Sequence, residues 1–323
     1  MTDPSHPPQP TAAGGRSASP GITTTGTTTS RRANRRTVAL MLTPALLLLA
    51  LFLVLPFLLS IGLSVTNYNL LNRRAVTLFV GLANYASILE DERFWQAAWN
   101  TARFALVTVP VQSALALLLA VLVNSGLPGR NLFRGVYFLP TVLSMAVVSV
   151  IWAGLLRAPQ GVLNALVGTL SGGVLGPYDW LGDETLAMPT IIVLSVWQGV
   201  GFQMVIYLAG LQSINAELYE AARIDGASRF QQFLHITLPS LRNTHVFVVL
   251  ATTVLAFKLF GQVDVLTQGG PLDSTNTLVR YLFNSGFREH RVGFASAASV
   301  LFFLLVLGIT LVQRALVRED REI

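Results

Sequence analysis

Ser195, Gln198, Gly199 and Phe202 stand at i, i+3, i+4 and i+7 within an apolar stretch, the spacing of one helical face. Two hydrogen-bonding groups and an aromatic ring on one face suit a polyhydroxylated solute, since such groups are costly against lipid. Gly199 lets that solute, or a neighbouring helix, approach closely. The same stripe suits adhesion between helices, an ordinary use of Gly and Ser in membranes. Spacing alone leaves both readings open.

Lys258 is the only lysine, and an ionisable group inside an apolar run is a functional candidate by default. It lies about six residues, or roughly 9 Å of helix, from the outer end of its run, within snorkelling reach. Gln262 at i+4 shares its face, whereas Asp264 at i+6 does not. Anchoring at the interface is the favoured role, with contact to a solute or a gate as the other. Phe257 precedes Lys258, so the glycine-to-lysine step of a P-loop is missing and the chain is not expected to hydrolyse ATP itself. No serine sits in a Gly-x-Ser-x-Gly elbow, cysteine is absent, and His6, His235, His245 and His290 lack metal-ligand spacing. We expect neither a catalytic nor a metal site.

The elements that carry these groups follow from composition. Of 323 residues, 52% are hydrophobic and 12% charged, with a mean hydropathy of +0.58. Soluble domains carry roughly 25% charged residues, which excludes an ordinary water-soluble enzyme. With about 20 apolar residues needed per crossing, six spans read out at 38–65, 99–123, 135–156, 187–212, 244–264 and 292–314. Residues 1–36, rich in Pro, Gly, Ser and Thr, read as a disordered tail ending in Arg31, Arg32, Arg35 and Arg36. The run from Val38 to Val65 exceeds the roughly 7–15 residues of a cleaved signal core, so it is an uncleaved first span.

An even number of spans puts both termini on one side. With that side cytoplasmic, the tail arginines together with Arg130, Arg134, Arg223, Arg229, Arg242, Arg314, Arg318 and Arg321 face inward. They outnumber Arg73, Arg74, Arg93, Arg157, Arg280, Arg288 and Arg291 on the outer loops, as retention of positive charge requires. Topology thus accounts for 22 basic residues against 16 acidic ones, and no nucleic-acid partner is expected. In the second outer loop Asp179, Trp180, Asp183 and Glu184 could receive a partner, though solvated acids are the ordinary reading.

The segment between spans four and five, residues 213–243, is the most informative. Asn215 can cap a short helix with Glu217 in its first turn, and Gly226 suits the position that ends it. Ile214, Leu218, Ala221 and Ala222 fall on one stripe, and Ser228 can cap a second helix bearing Phe230, Phe233 and Leu234. Interfacial helices favour basic residues, and this one has three acids and one Arg. Docking into a groove on a soluble partner is therefore favoured over lying on lipid. The bland reading of Glu220 is a salt bridge to Arg223 at i+3.

Glu220-Ala221-Ala222, three residues, Gly226, nine residues, then Ile236-Thr237-Leu238-Pro239 resembles the EAA loop of ABC importer permeases at every motif position. Asp225-Gly226-Ala227, Pro239-Ser240-Leu241, Leu266-Thr267-Gln268-Gly269-Gly270-Pro271, Gly293 and Ala295-Ser296-Ala297 look like the sugar-importing, maltose-type branch. The resemblance implies an all-α type I permease fold of six transmembrane helices with both termini cytoplasmic. Its domains would be a 1–36 tail, a first span with its outer loop at 37–94, a permease domain at 95–314 and a C-terminal tail at 315–323.

The implied function is the permease subunit of a binding-protein-dependent, ATP-driven sugar, polyol or sugar-phosphate importer in the cytoplasmic membrane, working by alternating access. Implied partners are a second permease, two ATP-binding subunits that hold ATP and Mg, an extracytoplasmic sugar-binding protein and the bilayer. Glu220, Ala221, Ala222, Asp225, Gly226, Ile236, Leu238 and Pro239 would couple to the ATPase. Thr141, Ser195, Gln198, Gly199, Phe202, Leu255, Ala256 and Leu259 match positions that line the family's solute path. Leu255, Ala256 and Leu259 are aliphatic where the maltose pattern is polar or aromatic, which shifts contact towards span four or the second permease. The rivals are an ion-coupled secondary carrier, which wants inverted repeats and a membrane-embedded acid, and a membrane sensor or scaffold.

Overall fold

The computed structural model describes residues 28–71, 77–125 and 129–316. The chain divides into two compact units between Pro56 and Phe57. Among the described residues, five helices are long and apolar enough to cross a membrane, and a sixth span is counted if one bent pair is taken together.

Helix α1 (Thr28–Leu49) continues through a π-helical turn, Ala50–Val54, into α2 (Leu55–Ser64), within which the boundary between the units falls. Leu55 N–H donates to Ala50 O, five residues back. Pro56 accounts for the widened turn, since a proline ring removes one donor and crowds the carbonyl four residues earlier. Helix α1 starts at Thr28, inside the stretch expected to be tail. Once the apolar run from Val38 has formed a helix, extension through Arg and Ala adds one hydrogen bond per residue without a new nucleation cost. The rest of the tail, residues 1–27, lies outside the described residues, as do 317–323.

The second unit is built on α4 (Glu92–Asn124) and α8 (Ala187–Gln212). Phe104, Ala105 and Val109, midway along α4, pack with Met188 and Ile191 near the start of α8. Ala116 and Ala120 pack with Met204 and Tyr207 near their ends, so the two run parallel. Helix α12 (Arg242–Phe257) runs antiparallel to them, with Val248 in the second cluster and Ala256 and Phe257 in the first. Residues 187–212 match the expected fourth span, while α4 begins earlier than expected because Asp91 caps it, its side chain accepting from Arg93 N–H at 2.9 Å. Helix α15 (Val292–Leu316) closes the unit, and its Phe294, Ala297 and Ala298 pack with Ile88, Leu278 and Tyr281.

Two of the expected spans are not single helices. The third, expected over 135–156, is α5 (Arg130–Val142) and α6 (Met145–Leu155), bent by 97°. Leu143 and Ser144 are extended at ψ 141° and 132°, just after Pro140, which supplies no N–H to the helical ladder. The fifth breaks after Phe257 and resumes as α13 (Gly261–Leu266), with Phe260 at φ −142°. Irregular backbone at membrane depth is tolerated only where protein or a cavity satisfies it. Both breaks meet that condition.

Candidate functional site

The two breaks border one cavity of about 410 Å³, within the usual range of small-molecule sites. Thr141 hydroxyl donates to the Gln198 backbone carbonyl at 2.9 Å, and Gln198 Nε2 donates to Leu143 O, the exposed carbonyl of the α5–α6 break, at 3.3 Å. On the other side Thr277 hydroxyl donates to Leu259 O at 2.8 Å, satisfying the break after α12. Gln262 Nε2 donates to Ser195 Oγ at 3.0 Å, and Ser195 in turn donates to Ile191 O at 2.7 Å.

Thr141, Ser195, Gln198, Gly199, Leu255, Ala256 and Leu259 all line this cavity. Phe202, expected on the same face, does not, and it is 45% exposed elsewhere. One turn beyond Gln198 the α5 backbone comes so close to Gly201 that a Cβ there would strike Tyr137 O, which closes the cavity before Phe202 is reached. Gly199 does what its type suggested: a Cβ at that position would run into the Gln112 amide.

Spacing on α8 did not reveal the opposite wall. Phe104, Thr108 and Gln112 of α4 line the cavity with Met145, Thr252, Lys258, Phe260, Gly261 and Gln262. Thr108 and Gln112 are polar groups at i and i+4 within an apolar run, the signal that could have found them. Lys258, favoured as an interfacial anchor, is an exposed residue at the end of α12 on the cavity wall. Asp264 does not neutralise it. Its carboxylate lies 3.5 Å from Arg280 Nε and 3.6 Å from Arg288 Nη2. Burial pushes the Arg280 guanidinium below its usual range, and Asp264 pulls it back up.

At the far end of α8 and α12, α9 (Ala216–Ile224) carries the EAA residues. Asn215 Oδ1 accepts from Glu217 N–H at 3.0 Å, and Gly226 ends the helix at φ +77° with Ala227 N–H reaching back to Ala222 O at 2.9 Å. Ser228 and Gln231 form a capping box at the start of α10 (Arg229–Gln232). A second π turn, Phe233–Thr237, again precedes a proline, here Pro239 in α11 (Leu238–Ser240). Tyr219 and Thr237 hydroxyls meet at 2.9 Å, fixing α9 against this turn.

Glu220, Ala221, Asp225, Gly226, Leu238 and Pro239 are exposed, and Ala222 and Ile236 are half-buried. Ala222, Asp225, Gly226 and Ile236 line a small depression of about 340 Å³ with His235. Among the described residues, Glu220 makes no ion pair, so its alternative reading, a bridge to Arg223, is not formed. Ile224 is 87% and Phe230 72% exposed, apolar surface that a monomer has little reason to display.

Asp179 and Asp183 are occupied locally. Asp179 accepts from Gly182 N–H, and Asp183 accepts from the Thr185 hydroxyl, Thr185 N–H and Leu186 N–H. These donors, the Thr185 hydroxyl foremost, hold the Asp183 carboxyl below its usual value. Trp180 Nε1 donates to Asn164 Oδ1 at 2.9 Å. No cluster of His, Asp or Glu among the described residues could hold a metal ion.

Residues 112–321 match the family described as binding-protein-dependent transport system inner membrane component. The chain is 34% identical over 285 residues to the probable ABC transporter permease protein YurN of Bacillus subtilis, covering 88% of this chain and 96% of that protein. It is 33% identical over 288 residues to the trehalose/maltose transport system permease protein MalF of Thermococcus litoralis, covering 88% and 94%. Its fold resembles that of a chain from a bacterial ABC transporter involved in the import of the acidic polysaccharide alginate. The TM-score is 0.78 at 23% identity, over 91% of this chain and 99% of that one. The chain therefore belongs to the binding-protein-dependent transport system inner membrane components and is an ABC importer permease.

Proposed function

We propose that this permease carries a sugar or related polyol across the cytoplasmic membrane by alternating access, with its N-terminus cytoplasmic. ATP and Mg sit on two separate ATP-binding subunits. A second permease completes the path, and an extracytoplasmic binding protein delivers the solute. One observation carries the reading. The helices α8 and α12 that wall the cavity are the two that α9–α11 joins at their other ends.

They are also tied to each other, through Gln203 Nε2 to Thr252 Oγ1 and through the Tyr207 hydroxyl and His245 Nδ1 at 2.6 Å. A push on exposed α9 therefore moves both helices as one body and reshapes the cavity between them and α4. Glu220, Ala221, Ala222, Asp225, Gly226, Ile236, Leu238 and Pro239 make the contact with the ATP-binding subunit. A sugar also suits the relatives, among them the trehalose/maltose permease and the lactose transport system permease protein LacF of Rhizobium radiobacter. An ion-coupled carrier needs a free acid in the membrane, and Asp264 is held by two arginines.

The test is to tag the C-terminus, extract the chain from its native membrane in mild detergent and identify what co-purifies. A second six-helix permease with two copies of a P-loop ATPase supports the reading. A chain that purifies alone yet transports in vesicles without ATP overturns it.

A further inference from the structure

Among the described residues, Lys258 is the one cationic group lining the cavity, and no acid lines it. Its charge has no ion-pair partner among the described residues, and the nearest acid along its own span, Asp264, is engaged by Arg280 and Arg288. A lone ammonium at membrane depth is costly unless something anionic or water-filled faces it. Two further groups lining the cavity, one on α4 and one on α8, lack partners. Thr108 Oγ1 and Gln198 Oε1 are buried without a hydrogen bond, in residues 3% and 7% exposed. A buried polar group without a partner calls for an explanation, and a solute hydroxyl entering the cavity would supply one.

We propose that Lys258 makes this cavity select for an acidic sugar, one that presents a carboxylate or phosphate to the ammonium and hydroxyls to Gln198 and Thr108. This rests on the importer reading above and narrows its solute class. The anion forms a charge-assisted hydrogen bond with Lys258, roughly twice as strong as a neutral one. Inorganic phosphate alone lacks the hydroxyl contacts and occupies the cavity poorly. A neutral sugar leaves the ammonium unpaired.

Because Lys258 is the only lysine, an amine-acylating reagent reports on it through a single internal peptide. The full chain, extracted with whatever it binds, is acylated in the presence of galacturonate, glucose 6-phosphate, galactose, glucose or inorganic phosphate at equal concentration. Mass spectrometry of the Lys258 peptide gives the rate. We expect galacturonate or glucose 6-phosphate to slow acylation about tenfold and the neutral sugars or inorganic phosphate less than about twofold. Which of the two acids protects better tells carboxylate from phosphate. Calorimetric titration of Lys258→Gln with the better acid should show the preference over its neutral counterpart gone.

Equal protection by acidic and neutral sugars overturns the proposal, as does no protection by either acid. An unreactive Lys258 that carbodiimide links to a carboxylate on another chain also overturns it, because the anion is then protein. The importer reading fails separately, if the same preparation contains no ATP-binding subunit.

Discussion

The side-chain amide of Gln198 donates to the backbone carbonyl of Leu143 at 3.3 Å, so that a helix satisfies the break in its neighbour. The Thr141 hydroxyl returns the favour at the Gln198 backbone carbonyl. Residue and break sit together on the cavity wall, so the polar lining and the unwound helix are one construction.

Gln198→Leu removes the donor and leaves Leu143 O without it. A part-buried carbonyl left without its donor costs at most roughly 1–3 kcal/mol. The purified complex should melt at a lower temperature, and uptake should fall. A variant with unchanged melting and unchanged uptake would mean that water serves Leu143 equally well.

Gly201→Ala and Gly199→Ala should separate. At Gly201 the new methyl meets backbone, Tyr137 O, which cannot step aside; overpacking of this kind costs about 1–3 kcal/mol or more. At Gly199 it meets the end of the Gln112 side chain, which can swing away. We expect poor insertion or yield for the first. The second should insert normally and show altered solute uptake. Equal yields of the two variants in a membrane-fraction immunoblot would refute the close packing of α5 on α8.

Gly226→Asp and Glu220→Lys should each abolish uptake while the protein still inserts. A Cβ at Gly226 meets nothing within 4 Å, so the fold survives. The left-handed φ of +77° adds about 1–2 kcal/mol of local strain at the end of α9. Normal uptake by both variants would remove α9 from the coupling path.

Asp183 supplies a pH test at the start of α8. Its carboxyl is held below the ordinary 3.8 by the Thr185 hydroxyl first and by backbone N–H groups. A depressed value in the folded chain contributes stability that is present above the ordinary carboxylate value and lost as pH falls through the depressed one. Exchange protection of the Thr185 and Leu186 amides, corrected for the intrinsic pH dependence, should hold from neutral pH to about pH 4 and then drop. Asp183→Asn should show weaker protection and no such drop.

Tyr281→Phe deletes the hydroxyl that donates to Asp91 Oδ2 at 2.7 Å, linking α14 (Leu278–Phe283) to the cap of α4. Thermal melting of the complex should register a loss of about 1–2 kcal/mol near neutral pH. Burial, with Asp91 adding to it, pushes the Tyr281 hydroxyl well above its usual range. The raised value means that the stabilisation is full below the ordinary tyrosine value near 10 and is lost only as pH climbs past it. Melting of the wild type and Tyr281→Phe should therefore differ equally at pH 6 and pH 8.

Local chemistry made much of this chain legible. Apolar runs gave the helices that cross the membrane, because hydrocarbon demands internally satisfied backbone over a fixed thickness. Asn215, Gly226 and Ser228 announced the caps of α9 and α10 by residue type alone, and each does what its type allows. The spacing of Ser195, Gln198 and Gly199 placed them on one face, where they border one cavity. Tertiary structure decided what spacing could not. An apolar run does not say where it bends, so the break at Leu143–Ser144 and the one after Phe257 emerged only when Gln198 and Thr277 were there to receive their carbonyls. Phe202 left the site because α5 lies against Gly201, a contact between segments far apart in sequence. Lys258 faces the cavity because its helix ends there, and Asp264, which spacing places off its face, is bound to Arg280 and Arg288 from the next loop. Sequence carries hydropathy, caps and facial spacing because these act within a few residues. Which polar group meets which broken backbone depends on packing between helices, and only the folded chain sets that.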